Sequence, residues 1–223
     1  MTDSVRTQEL IQAVEQADSA ERLVESVRAL VACHSIAAIP TLIAVFGYNN
    51  PGAAMVAIEG LIRLGEPAVL PLLEQLDDYN YGARAYSIRA LAAIADPRAL
   101  EVLATAAATD FAPSVRRAAA KGLGTLHWQQ LAQEQVREAQ ATALQALLQV
   151  SQDPDWAIRY AAVVGLQTLA SGANDLRAPI QNRFEQMLSS EADAAVRARV
   201  LRAKHLLEDT NAVALNTPVK PMV

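Results

Sequence analysis

The 223-residue chain is 52% hydrophobic but only 4% aromatic, with a formal charge of -5 and a pI near 5.2. Runs of Ala and Leu with few clusters of Val, Ile and Thr favour helix over a sheet-rich fold, and the acidic balance gives no electrostatic reason to expect nucleic acid. Cys33 is the only cysteine, so no intrachain disulfide is expected, and no apolar run reaches the roughly 20 residues that a membrane span needs.

The N-terminal stretch MTDSVRTQEL has neither the apolar core of a signal peptide nor the Arg-rich face of a transit peptide, so a soluble, cytoplasmic protein is expected. Among the 19 basic residues only Lys121, Lys204 and Lys220 are lysines. Arginine's planar fork suits carboxylates, which fits either internal ion pairs or an acidic ligand.

In chain order, apolar helical stretches lie around residues 10–14, 39–46, 69–76, 100–103, 144–150 and 180–188. Each is followed by a second helix, and these second helices align on Leu23, Ala54, Arg84, Arg116, Arg159 and Arg197. Six residues after each reference stands a small residue: Ala29, Gly60, Ala90, Gly122, Gly165 or Ala203. Seven after it stands Leu30, Leu61, Leu91, Leu123 or Leu166, with Lys204 the departure. Ten after it stands Cys33, Leu64, Ile94, Leu126, Leu169 or Leu207. These offsets share one helical face, and Gly or Ala on a packed face admits a neighbouring backbone.

The punctuation agrees. Gly65-Glu66-Pro67 reads as a stop and restart, Asp96-Pro97 as a cap with proline in the first turn, and Asp77, Asp78, Asp110, Asp153, Asp155 and Asp193 precede second helices as caps. Residues 129–140, QQLAQEQVREAQ, interrupt the period and read as an exposed helical extension; beyond Leu207 a disordered tail, 208–223, is expected. The pattern predicts an all-α, right-handed α-solenoid of about six helix pairs in a single domain over 1–207, resembling short HEAT-like repeats.

Catalytic chemistry is sparse in this pattern. His34, His127 and His205 have no metal-ligand spacing, and Cys33 and His34, as helical neighbours, point about 100° apart. The arginines at 84, 116, 159 and 197 either form a ladder with turn aspartates or bind an acidic ligand. The scarce aromatics cluster near inner turns and second helices: Phe46, Tyr48, Tyr79, Tyr81, Tyr86, Phe111, Trp128, Trp156 and Tyr160. They suit either a large conjugated, carboxylate-bearing ligand or a protein interface. The stretch YNYGARAYSIRAL, residues 79–91, joins a polar aromatic turn unique to its repeat to a regular packing helix.

Residues 47–103 and 109–128, with the motifs NNPGAA, YNYGARA and SVRRAAAKGLG, resemble the phycobilin lyase family of cyanobacteria and red algae, and within it the beta-type subunits. The resemblance implies a subunit that works with an alpha-type lyase partner in a heterodimer. It holds a linear tetrapyrrole, phycocyanobilin, as transferred substrate rather than resident cofactor, and delivers it to a cysteine of the phycocyanin alpha subunit. Arg84, Arg89, Arg116 and Arg117 then become candidates for the two propionates, and Tyr79, Asn80, Tyr81 and Trp128 for the pocket. Asp77, Asp78 and Asp110 are the carboxylates available to protonated pyrrole nitrogens, each also explicable as a helix cap. Isomerising relatives carry a His and Cys pair in the turn corresponding to YNYGAR; Tyr79 and Asn80 stand there instead, which implies attachment without isomerisation. Two alternatives are a non-catalytic scaffold or bilin-handling factor in phycobilisome turnover, and a lyase for phycoerythrobilin.

Overall fold

The computed structural model describes residues 3–76 and 81–215. Among them are twelve α-helices and no strand, arranged as the six expected pairs. The first members are α1 (Asp3–Glu15), α3 (Ile39–Ala44), α5 (Val69–Glu74), α7 (Leu100–Thr109), α9 (Gln133–Val150) and α11 (Arg177–Ser190). The second members are α2 (Ala20–Ala32), α4 (Pro51–Leu64), α6 (Tyr81–Ile94), α8 (Pro113–Thr125), α10 (Trp156–Gly172) and α12 (Ala194–Leu215). No helix among the described residues is long and apolar enough to cross a membrane.

The chain divides into two compact units, Met1–Leu103 and Ala104–Val223, with the division inside the stretch that forms α7. In the first unit α4 packs between α2 and α6; in the second, α10 packs against α8, α9, α11 and α12. Each unit is a stack of helix pairs, and each core is mainly aliphatic. Val27, Leu30, Leu42, Leu61, Leu72 and Leu91 are fully buried in the first, and Leu123, Leu147, Ile158, Leu166, Phe184 and Leu207 in the second.

In α4 and α10 the small residue six places after the reference position faces the preceding second helix. A Cβ on Gly60 of α4 would stand 2.4 Å from Val31 Cγ2 of α2. A Cβ on Gly165 of α10 would stand 2.3 Å from the Ala120 carbonyl oxygen of α8. Neither contact is open to a larger residue, so the glycines set the spacing between helices. Ala29 is exposed although its equivalents are buried, because α2 has no second helix before it. The reciprocal position lies eight places in: Gly124 of α8, whose Cβ would meet the backbone of Gly165 at 2.2 Å.

Most ends follow the polar punctuation. Side chains of Ser19, Asn50 and Asp155 accept from backbone N–H groups of Arg22, Ala53 and Ala157 at the starts of α2, α4 and α10. Asp193 accepts from Ala195 and Val196 at the start of α12. Gly65 ends α4 with φ +70°, a left-handed conformation that glycine adopts without a Cβ clash. Asp96 caps a single 3-10 turn, residues 97–99, that leads into α7 rather than capping α7 itself. The stretch 129–140 forms a 3-10 turn, Trp128–Gln130, and then the first turns of α9. The last helix, α12, continues to Leu215, beyond Leu207 where the repeat pattern stops.

Candidate functional site

The first unit carries an aromatic cleft of about 270 Å³ between the turn before α4 and the start of α6. Phe46 and Tyr86 form its wall, their ring centroids 5.5 Å apart and tilted by 44°. Gly47, Asn49, Asn50, Pro51 and Gly82 complete the lining. Asn49 takes a left-handed φ of +52°, which its short amide side chain tolerates better than most residues. Asn50 fixes the turn at both sides: Oδ1 accepts from the Ala53 N–H at 3.0 Å, and Nδ2 donates to the Ala20 carbonyl at 3.1 Å. The motif NNPG therefore builds one rim of a cleft as well as a helix start.

Tyr81 opens α6 and is 61% exposed, and Tyr48 is 43% exposed. An exposed tyrosine offers a flat apolar face and a hydroxyl at little cost in side-chain entropy. Asp77, Asp78, Tyr79 and Asn80 lie outside the described residues. Tyr81 and Gly82, read from sequence as part of the turn, are the first two residues of the helix.

In the second unit the turn acids and reference arginines form a ladder. Arg116 donates to the Asp153 carboxylate through Nη2 and to the Ala107 carbonyl through Nε at 3.2 Å. Arg159 makes a two-pronged contact with Glu191 at 2.7 and 2.6 Å, while its Nη1 reaches the Asp153 and Pro154 carbonyls. Arg197 donates to the Leu188 carbonyl at 3.0 Å. Each acid also orders its own turn, since Asp153 accepts from the Asp155 N–H and Glu191 from the Asp193 N–H.

The second rung uses Glu191 rather than the expected Asp193, whose carboxylate is taken up by the amides that start α12. The hydrogen bond from Arg159 holds the Glu191 carboxyl below the usual glutamate range, against the opposing effect of burial. The same partner raises the Arg159 guanidinium. Asp110, Asp153 and Glu191 all stand six residues before a reference arginine, as does Asp78. An acid at that offset was the signal for the rungs. Asp110 itself is buried, and its carboxylate accepts from the Ala112 N–H at 2.9 Å.

Of the remaining expected residues, Arg84 is half-buried in α6, whereas Arg89 and Arg117 are exposed. Trp128 is 9% exposed and belongs to a different cleft, within the second unit, of about 610 Å³. Sequence reasoning grouped Phe46 and Tyr86 with the scarce aromatics suited to a ligand or an interface without assigning them to the pocket, and it missed Asn49, which the NNPGAA motif contains.

Stacked helix pairs with acid and arginine rungs define a HEAT-repeat protein, and models of HEAT repeats match residues 69–139 and 133–173. A designed armadillo repeat protein shares the fold alone, with TM-score 0.61 at 20% identity over 89% of this chain and 98% of that one. Much closer is the phycocyanobilin lyase subunit beta of Nostoc sp. PCC 7120, 62% identical over 89% of this chain and 98% of that protein. The phycocyanin alpha phycocyanobilin lyase CpcF of Synechocystis is 52% identical over 86% and 90%. A chain in the solved complex of CpcE and CpcF of phycocyanin lyase from Nostoc superposes with TM-score 0.73 at 65% identity, covering 76% of this chain and 99% of that one. This chain belongs to the phycocyanobilin lyase beta-subunit family.

Proposed function

We propose that this chain is the beta-type subunit of a heterodimeric bilin lyase that, with an alpha-type partner, attaches phycocyanobilin to a cysteine of the phycocyanin alpha subunit. What carries the reading is the 62% identity that extends over 98% of a phycocyanobilin lyase subunit. The 65% identity to a chain solved in complex with a second lyase protein adds the partner. The work takes place in the cyanobacterial cytoplasm, where phycobilisomes are assembled.

In the reaction the acceptor thiol adds across the bilin ethylidene group. A carbon–sulfur bond forms and the thiol proton ends on the bilin, with no oxidant and no leaving group. The nucleophile comes from the acceptor, so the lyase binds, orients and polarises. Cys33 fits no nucleophilic role, because its Sγ donates to the Leu30 carbonyl at 2.8 Å at the end of α2.

In the first unit Tyr81, at the start of α6, contacts the tetrapyrrole, and Tyr79 and Asn80, which lie outside the described residues, are proposed to do so with it; Trp128 offers an indole face in the separate cleft of the second unit. Arg84 and Arg89, both on α6, are the propionate candidates of the first unit, and Arg117 on α8 is that of the second. Arg116 is already engaged by Asp153 and serves the stack first. A carboxylate among Asp77, Asp78 and Asp110 stabilises the protonated pyrrole system and makes the ethylidene more electrophilic.

The test is co-production of this chain with an alpha-type lyase subunit, phycocyanobilin and the phycocyanin alpha subunit. A covalently coloured acceptor that withstands denaturation is expected. An uncoloured acceptor in an assay whose established lyase pair succeeds would refute the proposal.

A further inference from the structure

The insertion that breaks the repeat builds the larger cleft of the second unit. Gln133, Val136 and Gln140 lie on one face of α9 and form one wall, with Leu126, Trp128 and Thr168 among the others. Stacking does not require this cleft, because the residues of the insertion have no equivalent in the other repeats. Its volume of about 610 Å³ lies within the range of small-molecule sites, roughly 300–1,000 Å³, whereas the first unit's cleft of about 270 Å³ falls short of it.

None of the described residues lining the cleft is ionisable. Its polar side chains are glutamine amides, which donate and accept without net charge, the indole of Trp128, and the hydroxyls of Thr125 and Thr168, which donate to the Gly122 and Val164 carbonyls and are left to accept. Such a lining rejects a carboxylate and accepts a neutral group with one N–H and one C=O. The terminal lactam ring of a linear tetrapyrrole has that chemistry, and its conjugated plane matches the indole of Trp128.

The charge that the ligand's propionates need stands beside the cleft. Arg137 follows Gln133 by one helical turn and is 91% exposed, and Asp175, three residues beyond the lining Gly172, meets it at 3.7 Å. An exposed pair at that distance is weak, so a propionate can displace Asp175 from the guanidinium.

We propose that this cleft is a bilin-holding site in its own right, gripping a terminal lactam ring between Trp128 and the amides of Gln133 and Gln140, with Arg137 receiving a propionate. It rests on the lyase reading above and adds to it a site and ligand residues on the insertion.

Two variants of this chain, each in complex with the alpha-type subunit, test it. Gly172→Trp places bulk beside the cleft where a Cβ meets nothing within 4 Å, so folding is preserved. The double variant Gln133→Leu with Gln140→Leu removes the amides at nearly constant size. Phycocyanobilin is titrated by absorbance, alongside melting temperature and transfer to the phycocyanin alpha subunit. Each variant is expected to weaken bilin binding at least tenfold with unchanged melting temperature. If the parent transfers bilin and both variants bind it as the parent does, this inference falls and the lyase reading stands. If the variants bind bilin normally but lose the acceptor protein, the cleft is a peptide site and the proposal is likewise overturned. A parent complex that neither binds nor transfers bilin overturns both.

Discussion

Gly124→Ala isolates the closest backbone approach in the second unit. The added Cβ would lie 2.2 Å from the Gly165 carbonyl oxygen, 2.6 Å from its Cα and 2.8 Å from its carbonyl carbon. All three are backbone atoms of α10, so no side-chain rotation relieves the clash, and α8 and α10 must separate. Overpacking of this kind costs about 1–3 kcal/mol, with the upper end expected when backbone must move. Alanine's helix propensity returns about 1 kcal/mol. The net loss of about 2 kcal/mol corresponds to a fall in melting temperature of about 4–8 °C for a chain of this size. Gly172→Ala is the control: its Cβ meets nothing within 4 Å, and stability is expected to stay level or rise by about 0.5 kcal/mol. Far-UV circular dichroism melts at one fixed protein concentration read both variants. If Gly124→Ala melts with the parent, α8 and α10 are not in backbone contact and the stacking described for this unit is wrong.

Arg116→Ala leaves the carboxylate of Asp153, 5% exposed, without its cation and is expected to cost about 3 kcal/mol, whereas exposed Arg117→Ala should stay within about 0.5 kcal/mol. Unchanged melting with lost transfer in Arg116→Ala would move that residue from the ladder to the ligand. Because Glu191 is held below its ordinary value of 4.5, its ionised form favours the folded state. That contribution is present above the ordinary value and is lost as pH falls through the depressed one. Glu191→Gln should therefore lower stability at neutral pH and flatten the acid limb of a stability–pH curve; an unchanged slope would remove the pair from the folding balance. Tyr81→Ala, at a site 61% exposed, is expected to reduce bilin transfer more than tenfold while melting as the parent does; equal transfer rates would remove Tyr81 from the site.

The repeating frame was legible because stacking leaves a periodic signature. A small residue recurs wherever one second helix meets the one before it, as at Gly60 and Gly165, and leucines recur where the pair closes. Less legible was the reciprocal position. Gly124 breaks no pattern as a lone glycine, and its role emerges only when Gly165 is opposite it. The partner choice of Arg159 was hidden for a related reason. Both Glu191 and Asp193 stand in the turn, and only the competition for helix-start amides decides which one is left for the guanidinium.

The same competition separates structure from function in this family member. Arginines and acids at inner turns look from sequence like a ligand set for propionates and pyrrole nitrogens. In the second unit the stack consumes Arg116, Arg159, Asp153 and Glu191 for its own rungs. A group held by a buried ion pair can serve a ligand only by leaving a partner charge uncompensated, which costs more than a surface contact returns. Function in a repeat protein therefore falls to residues that the repeat does not need. Here those are the exposed Tyr81 and the glutamines of the insertion. Such residues are found by subtracting the periodic pattern from the sequence, because what remains after subtraction has no packing reason to be polar or aromatic.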